Sequence, residues 1–316
     1  NIKYMSQQAA NTVLMIRPVQ FRMNEQTAVN NYYQKKLEGL TPANVNQKAQ
    51  EEFDGFVERL RSVGVNVVVV DDTKESDTPD SIFPNNWISF HDNAEVVLYP
   101  MFAENRRLER REDILDILEE KGFKIAEIND YTSAEEDDIF LEGTGSMIID
   151  RENAKVYAAL SPRADEELII EFCEDNDMHP VIFEAYQTVD GKRLPIYHTN
   201  VMMSIAETFA IICGDSIDDK QERKLVVNSL KEDGKEIIYI TENQVNHFAG
   251  NMLQVEGKDG QLYMVMSTQA YEILTDVQIK AIEKHCAILH APLYTIEACG
   301  GGSARCMLAE VFLPQE

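Results

Sequence analysis

The sequence predicts an α/β fold, a five-fold pseudo-symmetric ring whose repeating unit is one helix and three strands. The order helix, strand, strand, strand recurs five times along 316 residues, at roughly 50–63 residues per unit. The last unit is one strand short, and VLMIRP (13–18) near the start of the chain can supply it, so the ends of the chain complete one unit. No linker rich in Pro, Gly or Ser interrupts the pattern, and a single domain over residues 1–316 is expected.

Five stretches carry helical periodicity, each a spaced apolar stripe among charges: 43–64, 107–122, 163–177, 218–235 and 268–286. A strand follows each: VNVVVVDD (65–72), FKIAEIND (123–130), HPVIFEAYQ (179–187), EIIYITEN (236–243) and APLYTIEA (291–298). Turn residues then lead into paired strands: 85–92 with 94–100, 145–150 with 154–160, 200–207 with 208–215, and 251–257 with 262–267. In a ring of this kind the strand after each helix is expected nearest the centre, with the loop that follows it opening at one end. SAEEDD (133–138) reads as a solvated loop. The polar run 21–27 is either a lid over a cleft or an ordinary surface loop.

Composition narrows the function classes. A formal charge of −26 repels a phosphate backbone, which excludes nucleic acid as the expected partner. No apolar run approaches the ~18–20 residues of a membrane span, and NIKYMSQQAANT is too polar for a signal peptide. Five cysteines without a C-x-x-C point to free thiols in a reducing cytoplasm, with neither a disulfide framework nor a zinc site. Neither metal nor cofactor is expected, and a homodimer stays open.

Chemistry-bearing residues fall at one position in every unit, the loop after the strand that follows the helix. The first loop is PDSIFPNNW (79–87), with Asn85 and Asn86; the second is FLEGTG (140–145), with Glu142. Next come IYHTN (196–200), with His198 and Asn200, and NHFAGN (246–251). The fifth is ACGGGSARCMLAEVFLP (298–314), where three glycines precede Cys306. Read alone, that stretch is a tight loop before a last strand, or a thiol held at the mouth of a cleft. Cys173, Cys213, Cys286 and Cys299 lie on helix or strand patterns and read as small core residues, and His247 reads as structural.

Phe-Pro-Asn-Asn (83–86), Leu-Glu-Gly (141–143), Ser-Pro-Arg (161–163), His-Thr-Asn (198–200) and Gly-Gly-Ser-Ala-Arg-Cys (301–306) together resemble the guanidino-group-modifying pentein superfamily. This is the arginine deiminase and amidinotransferase group, and the resemblance is nearest to its citrulline-utilisation hydrolases, over essentially the whole chain. It implies a five-fold pseudo-symmetric ββαβ propeller. It also implies a small amino-acid substrate, with Cys306 as nucleophile, His198 as general acid and base, and Glu142 on the substrate nitrogen or orienting His198. Arg163 matches the Arg that binds the substrate carboxylate. Arg106 and Arg107 both fall where relatives carry a second such Arg, and the sequence does not choose between them.

The chain departs from arginine-processing members at two positions that carry Asp there and Asn here, Asn86 and Asn200. Guanidinium offers only N–H donors and a positive charge, which two carboxylates match. A neutral ureido group has one C=O acceptor beside its donors, and Asn presents both a donor and an acceptor. The pair therefore favours citrulline, giving ornithine, ammonia and carbon dioxide. An arginine deiminase, dimethylargininase or amidinotransferase is the alternative within the group, and a non-catalytic binding propeller the alternative outside it.

Overall fold

A computed structural model describes residues 6–315, so the first residues of the polar N-terminal stretch lie outside the description. Five three-stranded sheets share one design, in which a middle strand pairs antiparallel on one side and parallel on the other. In four of them the antiparallel partner is joined through a short hairpin, and in all five the parallel one arrives after the helical crossover that parallel pairing requires. In the sheet that joins the chain ends, Thr12–Arg17 is the middle strand, parallel to Asn66–Asp71 and antiparallel to Ala309–Glu310. The missing strand of the last unit is thus supplied from the N-terminal region, as the sequence implied.

The strand after each helix does not sit at the centre. Glu127–Asp130 and Glu236–Tyr239 carry mostly exposed or half-buried residues, whereas Met147–Asp150 and Met203–Ile205 are buried throughout. Parallel pairing puts the strand that follows the helix on the outer edge, and the first strand of each hairpin is the inner one. Two further expectations change. Within 291–298, read as a strand, a helix begins (Tyr294–Gly300), and the strand of that unit is Ala287–Ala291. The helix expected over 268–286 breaks into Thr268–Ile273 and Asp276–Glu283, because Thr275 caps the second piece and its side chain accepts from the Gln278 N–H. The acidic patch 133–138 is largely exposed, as a solvated segment should be; it forms a 3₁₀ turn, Thr132–Asp137, whose Glu135 pairs with Arg110 and accepts the Met101 N–H at 2.8 Å.

The longest helix, Pro42–Ser62, starts where its sequence says it should. Thr41 accepts the Asn44 N–H, and Pro42 occupies the first position, where no donor is lost. Its buried face, Phe53, Phe56, Val57 and Leu60, packs into the same apolar cluster as Cys306 and Met307. Among the described residues no helix is long and apolar enough to cross a membrane.

Candidate active site

The five loops singled out in the sequence touch one another in succession. Thr144 receives the Asn85 amide N–H at 3.1 Å, and Thr199 donates to the Ser146 carbonyl at 2.6 Å. Asn251 donates to the Asn200 carbonyl at 3.1 Å and its Oδ1 accepts the Arg305 N–H at 3.0 Å. The turn Arg305–Met307 then packs on Pro84–Asn86, which returns the chain of contacts to its start. Glu142, His198, Asn86, Asn200 and Cys306 are all buried here.

Two amides approach the thiol: Asn200 Nδ2 lies 3.4 Å and Asn251 Nδ2 3.2 Å from Cys306 Sγ. Gly301, at φ +65°, ends the helix that leads into this loop, and a side chain there would strike Asn31. The glycines before Cys306 thus serve a reversal under a covering segment.

His198 Nε2 lies 2.8 Å from Glu142 Oε1. Glu142 also accepts the Phe102 N–H at 3.0 Å and Arg163 Nη1 at 3.3 Å. Burial works to raise its carboxyl, but Arg163, the His198 bond and Arg106 outweigh it and hold it down at about 2. Burial pulls the His198 imidazole down to about 4 although Glu142 opposes the fall. At neutral pH the pair is therefore a carboxylate and a neutral imidazole. The carboxylate can only accept, so Nε2 carries the proton and Nδ1 is the free base. Nδ1 lies 3.0 Å from where a Cβ on Gly145 would sit, and Asn86 Nδ2 lies 2.4 Å from it.

The two asparagines differ. Asn86 is fixed at both ends: its Oδ1 accepts Arg106 Nη1 at 2.7 Å and its Nδ2 donates to Asn85 Oδ1 at 3.1 Å. Asn200 Oδ1 is buried without a partner. Arg163 lies inside the site rather than on the surface, bonded to Glu142, Asn30 and the Thr27 carbonyl, with its guanidinium 4.9 Å from the Tyr197 ring centre. Arg106 spends its donors on Glu109, Asn86 and the Phe83 carbonyl. Arg107, half-buried, holds the Met101 carbonyl and lies 3.5 Å from Glu135. His247 is half-buried, bonds the Asn243 carbonyl and stays out of the cluster.

Asn251 was quoted in the sequence only as the end of a loop, and its amide on Cys306 carries no pattern that marks it beforehand. Asp80 is a second addition. It is buried, burial raises its carboxyl, its Oδ2 accepts from Asn24 and Thr27, and its Oδ1 has no partner. Asn24 and Thr27 belong to the polar run 21–27, which therefore covers the site. Asn30, Asn31 and Gln34 continue that cover onto Arg163, Gly300 and Gly301.

No protein of curated function matches the chain with significance. Solved structures of the same fold include ArgZ, an arginine dihydrolase from the ornithine–ammonia cycle in cyanobacteria (TM-score 0.72, 18% identity), which covers 96% of this chain. The chain spans 41% of that protein's length, and 99% of its N-terminal domain in the substrate-bound form (TM-score 0.69, 19% identity). A dimethylarginine dimethylaminohydrolase adduct with S-methyl-L-thiocitrulline superposes with a TM-score of 0.61 at 12% identity, over 95% of this chain and 99% of its own. At these identities the likeness is one of fold. Sequence reaches further, because the profile of one family matches residues 17–313 and so contains every residue of the cluster around Cys306. The chain belongs to the family described as N,N dimethylarginine dimethylhydrolase, eukaryotic, within the guanidino-modifying pentein superfamily.

Proposed function

We propose that this chain is a single catalytic domain, a five-bladed ring, that hydrolyses a linear C–N bond of a ureido amino acid, with citrulline as substrate. The reading balances as citrulline plus water to ornithine, ammonia and carbon dioxide. The observation that carries it is the pair of neutral amides at the reacting end: Asn200 beside the Cys306 sulfur and Asn86 beside His198. Arg106, paired with Glu109, holds Asn86 Oδ1 and so fixes that amide as a neutral group at the head of the site.

Cys306 Sγ attacks the ureido carbon and its proton passes to His198 Nδ1. His198 then gives that proton to the departing amine, and a carbamoyl group stays on sulfur. Next, His198 takes a proton from water, the water oxygen attacks the carbamoyl carbon, the sulfur leaves and regains the proton from His198, and the released carbamic acid breaks down to ammonia and carbon dioxide. Glu142 holds the imidazole in its tautomer and stabilises it when charged. Arg163, together with Asp80, is assigned to the α-carboxylate and α-amino end of the substrate once Asn30 and Thr27 yield to it. Free thiols throughout suit a reducing, cytoplasmic setting. Cys306→Ala is expected to abolish ornithine release without shifting the unfolding midpoint. A fully active variant would contradict the reading.

A guanidino substrate is the second reading, favoured by membership of a dimethylarginine-hydrolase family. Restoring carboxylates separates the two: Asn86→Asp with Asn200→Asp is expected to raise arginine turnover relative to citrulline by about tenfold or more, as each unpaired acceptor or donor is worth about 1–3 kcal/mol. No gain would count against charge as the discriminator.

A further inference from the structure

Unpartnered buried polar atoms collect in two places. One is the cleft at Cys306, with Asn200 Oδ1 and Asp80 Oδ1. The other is a cavity of about 300 Å³ on the outer side of the covering segment, at the low end of the range for small-molecule sites. Tyr33, Gln187 and Glu297 line it, and each has a buried atom without a partner: the Tyr33 hydroxyl, Gln187 Nε2 and Glu297 Oε2. Such atoms are few in folded proteins, and three of the ten among the described residues belong to side chains that line this one space.

The three come from separate elements. Tyr33 lies in the covering segment, Gln187 on the strand Tyr186–Val189, and Glu297 on the helix that ends at the glycines before Cys306. Lys35 and Tyr294 line the cavity where it meets solvent, and Phe248 forms an apolar wall. Phe248 holds φ +64°, a conformation that bulky side chains adopt only where their surroundings impose it. Its ring lies 5.8 Å from that of Tyr33. Burial pushes the Glu297 carboxyl up to about 8, as expected of a carboxyl that lacks a counter-ion.

We propose that this cavity is a second binding site, outside the Cys306 cleft, for a free linear α-amino acid. Its demands are those of a zwitterion. Glu297, buried without a counter-ion, takes an ammonium group, whose charge returns the carboxyl to its ionised, accepting form; Gln187 Nε2 and the Tyr33 hydroxyl offer donors to a carboxylate, with Lys35 adding a positive charge. Phe248 and Tyr294 pack on the aliphatic stem. A plain amine would leave Gln187 unpaired, and a plain acid would leave Glu297 so. The site does not depend on the reaction assigned to Cys306.

The probe is L-ornithine, with pentylamine and pentanoate as ligands that carry only an amine or only a carboxylate. Binding is measured by equilibrium dialysis on the wild-type chain, Gln187→Leu, Lys35→Ala and Cys306→Ala, with unfolding midpoints as the check on folding. Ornithine is expected to bind wild type and Cys306→Ala alike, to weaken about tenfold or more in Gln187→Leu and Lys35→Ala, and to exceed both partial ligands. Lys35 is exposed, so its variant tests the site even if Gln187→Leu fails to fold. Equal ornithine affinity in wild type and Lys35→Ala, or partial ligands as good as ornithine, would overturn the proposal. A citrulline-inactive chain that still shows this pattern would sink only the assignment at Cys306.

Discussion

A neutral imidazole beside an ionised carboxylate is the central electrostatic fact at the residue scale. It follows from burial on one side and two buried arginines on the other. The sign of the pH dependence follows. His198 falls from an ordinary 6.5 to about 4, so its Nδ1 keeps its lone pair down to that pH. The acid limb of kcat/KM is expected near 4 rather than near 6.5. In folding terms the unfolded chain protonates this imidazole first. Its stabilising contribution is complete above 6.5 and is lost as pH falls through 6.5 towards 4, and that of Glu142 is lost between 4.5 and about 2. Unfolding midpoints of wild type and His198→Gln across pH 7 to 4 check this, and the variant should lose less. Gly145 leaves room for both His198 and Asn86, since a Cβ there would come within 2.4 Å of Asn86 Nδ2. Gly145→Ala should lower kcat by about 100-fold, the scale of a 1 Å misplacement, with far-UV circular dichroism unchanged.

Two elements show where sequence pattern ends and packing begins. APLYTIEA alternates as a strand would, yet Glu52 on the helix Pro42–Ser62 accepts the N–H groups of Thr295 and Ile296 at 2.8 and 3.0 Å and fixes a helix start there. A partner 243 residues away decides the local structure, and no window on the sequence contains it. The polar run 21–27 left lid and surface loop equally open, because polar side chains that satisfy one another in space look the same as solvated ones in a string. The cluster residues Cys306, His198, Glu142, Asn86 and Asn200 were legible, as they fall at one position of the repeat, in four of its five loops. Asn251 and Asp80 were not: an Asn after Gly and an Asp after Pro are ordinary turn residues until the fold brings them to sulfur and to the covering segment. That segment rests on Asn24, whose amide reaches Asp80 at 2.8 Å and whose Oδ1 accepts from Asn105. Asn24→Ala should lower kcat/KM by about tenfold, the loss of one buried hydrogen bond to a charged group, and speed proteolysis within 18–41.

At the scale of the whole molecule, repetition is what the sequence displays most openly. Four of the five helix-and-strand units and the pairing of Thr12–Arg17 with Ala309–Glu310 could be written down from periodicity; the strand of the fifth unit could not, since Tyr294–Gly300 is a helix. The inner and outer strands could not, because an apolar run such as VNVVVVDD suits either place until the direction of its pairing is known. Net charge acts on the whole fold. At −26 the folded chain repels itself, so raising NaCl from about 10 to 150 mM, which shortens the Debye length from about 30 to 8 Å, should raise Tm by a few degrees. A falling Tm would mean that attractive pairs dominate instead.

The central claim is that two neutral amides make this a site for a neutral ureido group. The most direct measurement is ornithine and ammonia release from L-citrulline and L-arginine side by side, with Cys306→Ala as the blank. The account expects ornithine and ammonia from citrulline and little from arginine. Citrulline or ornithine formed from arginine at comparable kcat/KM would contradict it.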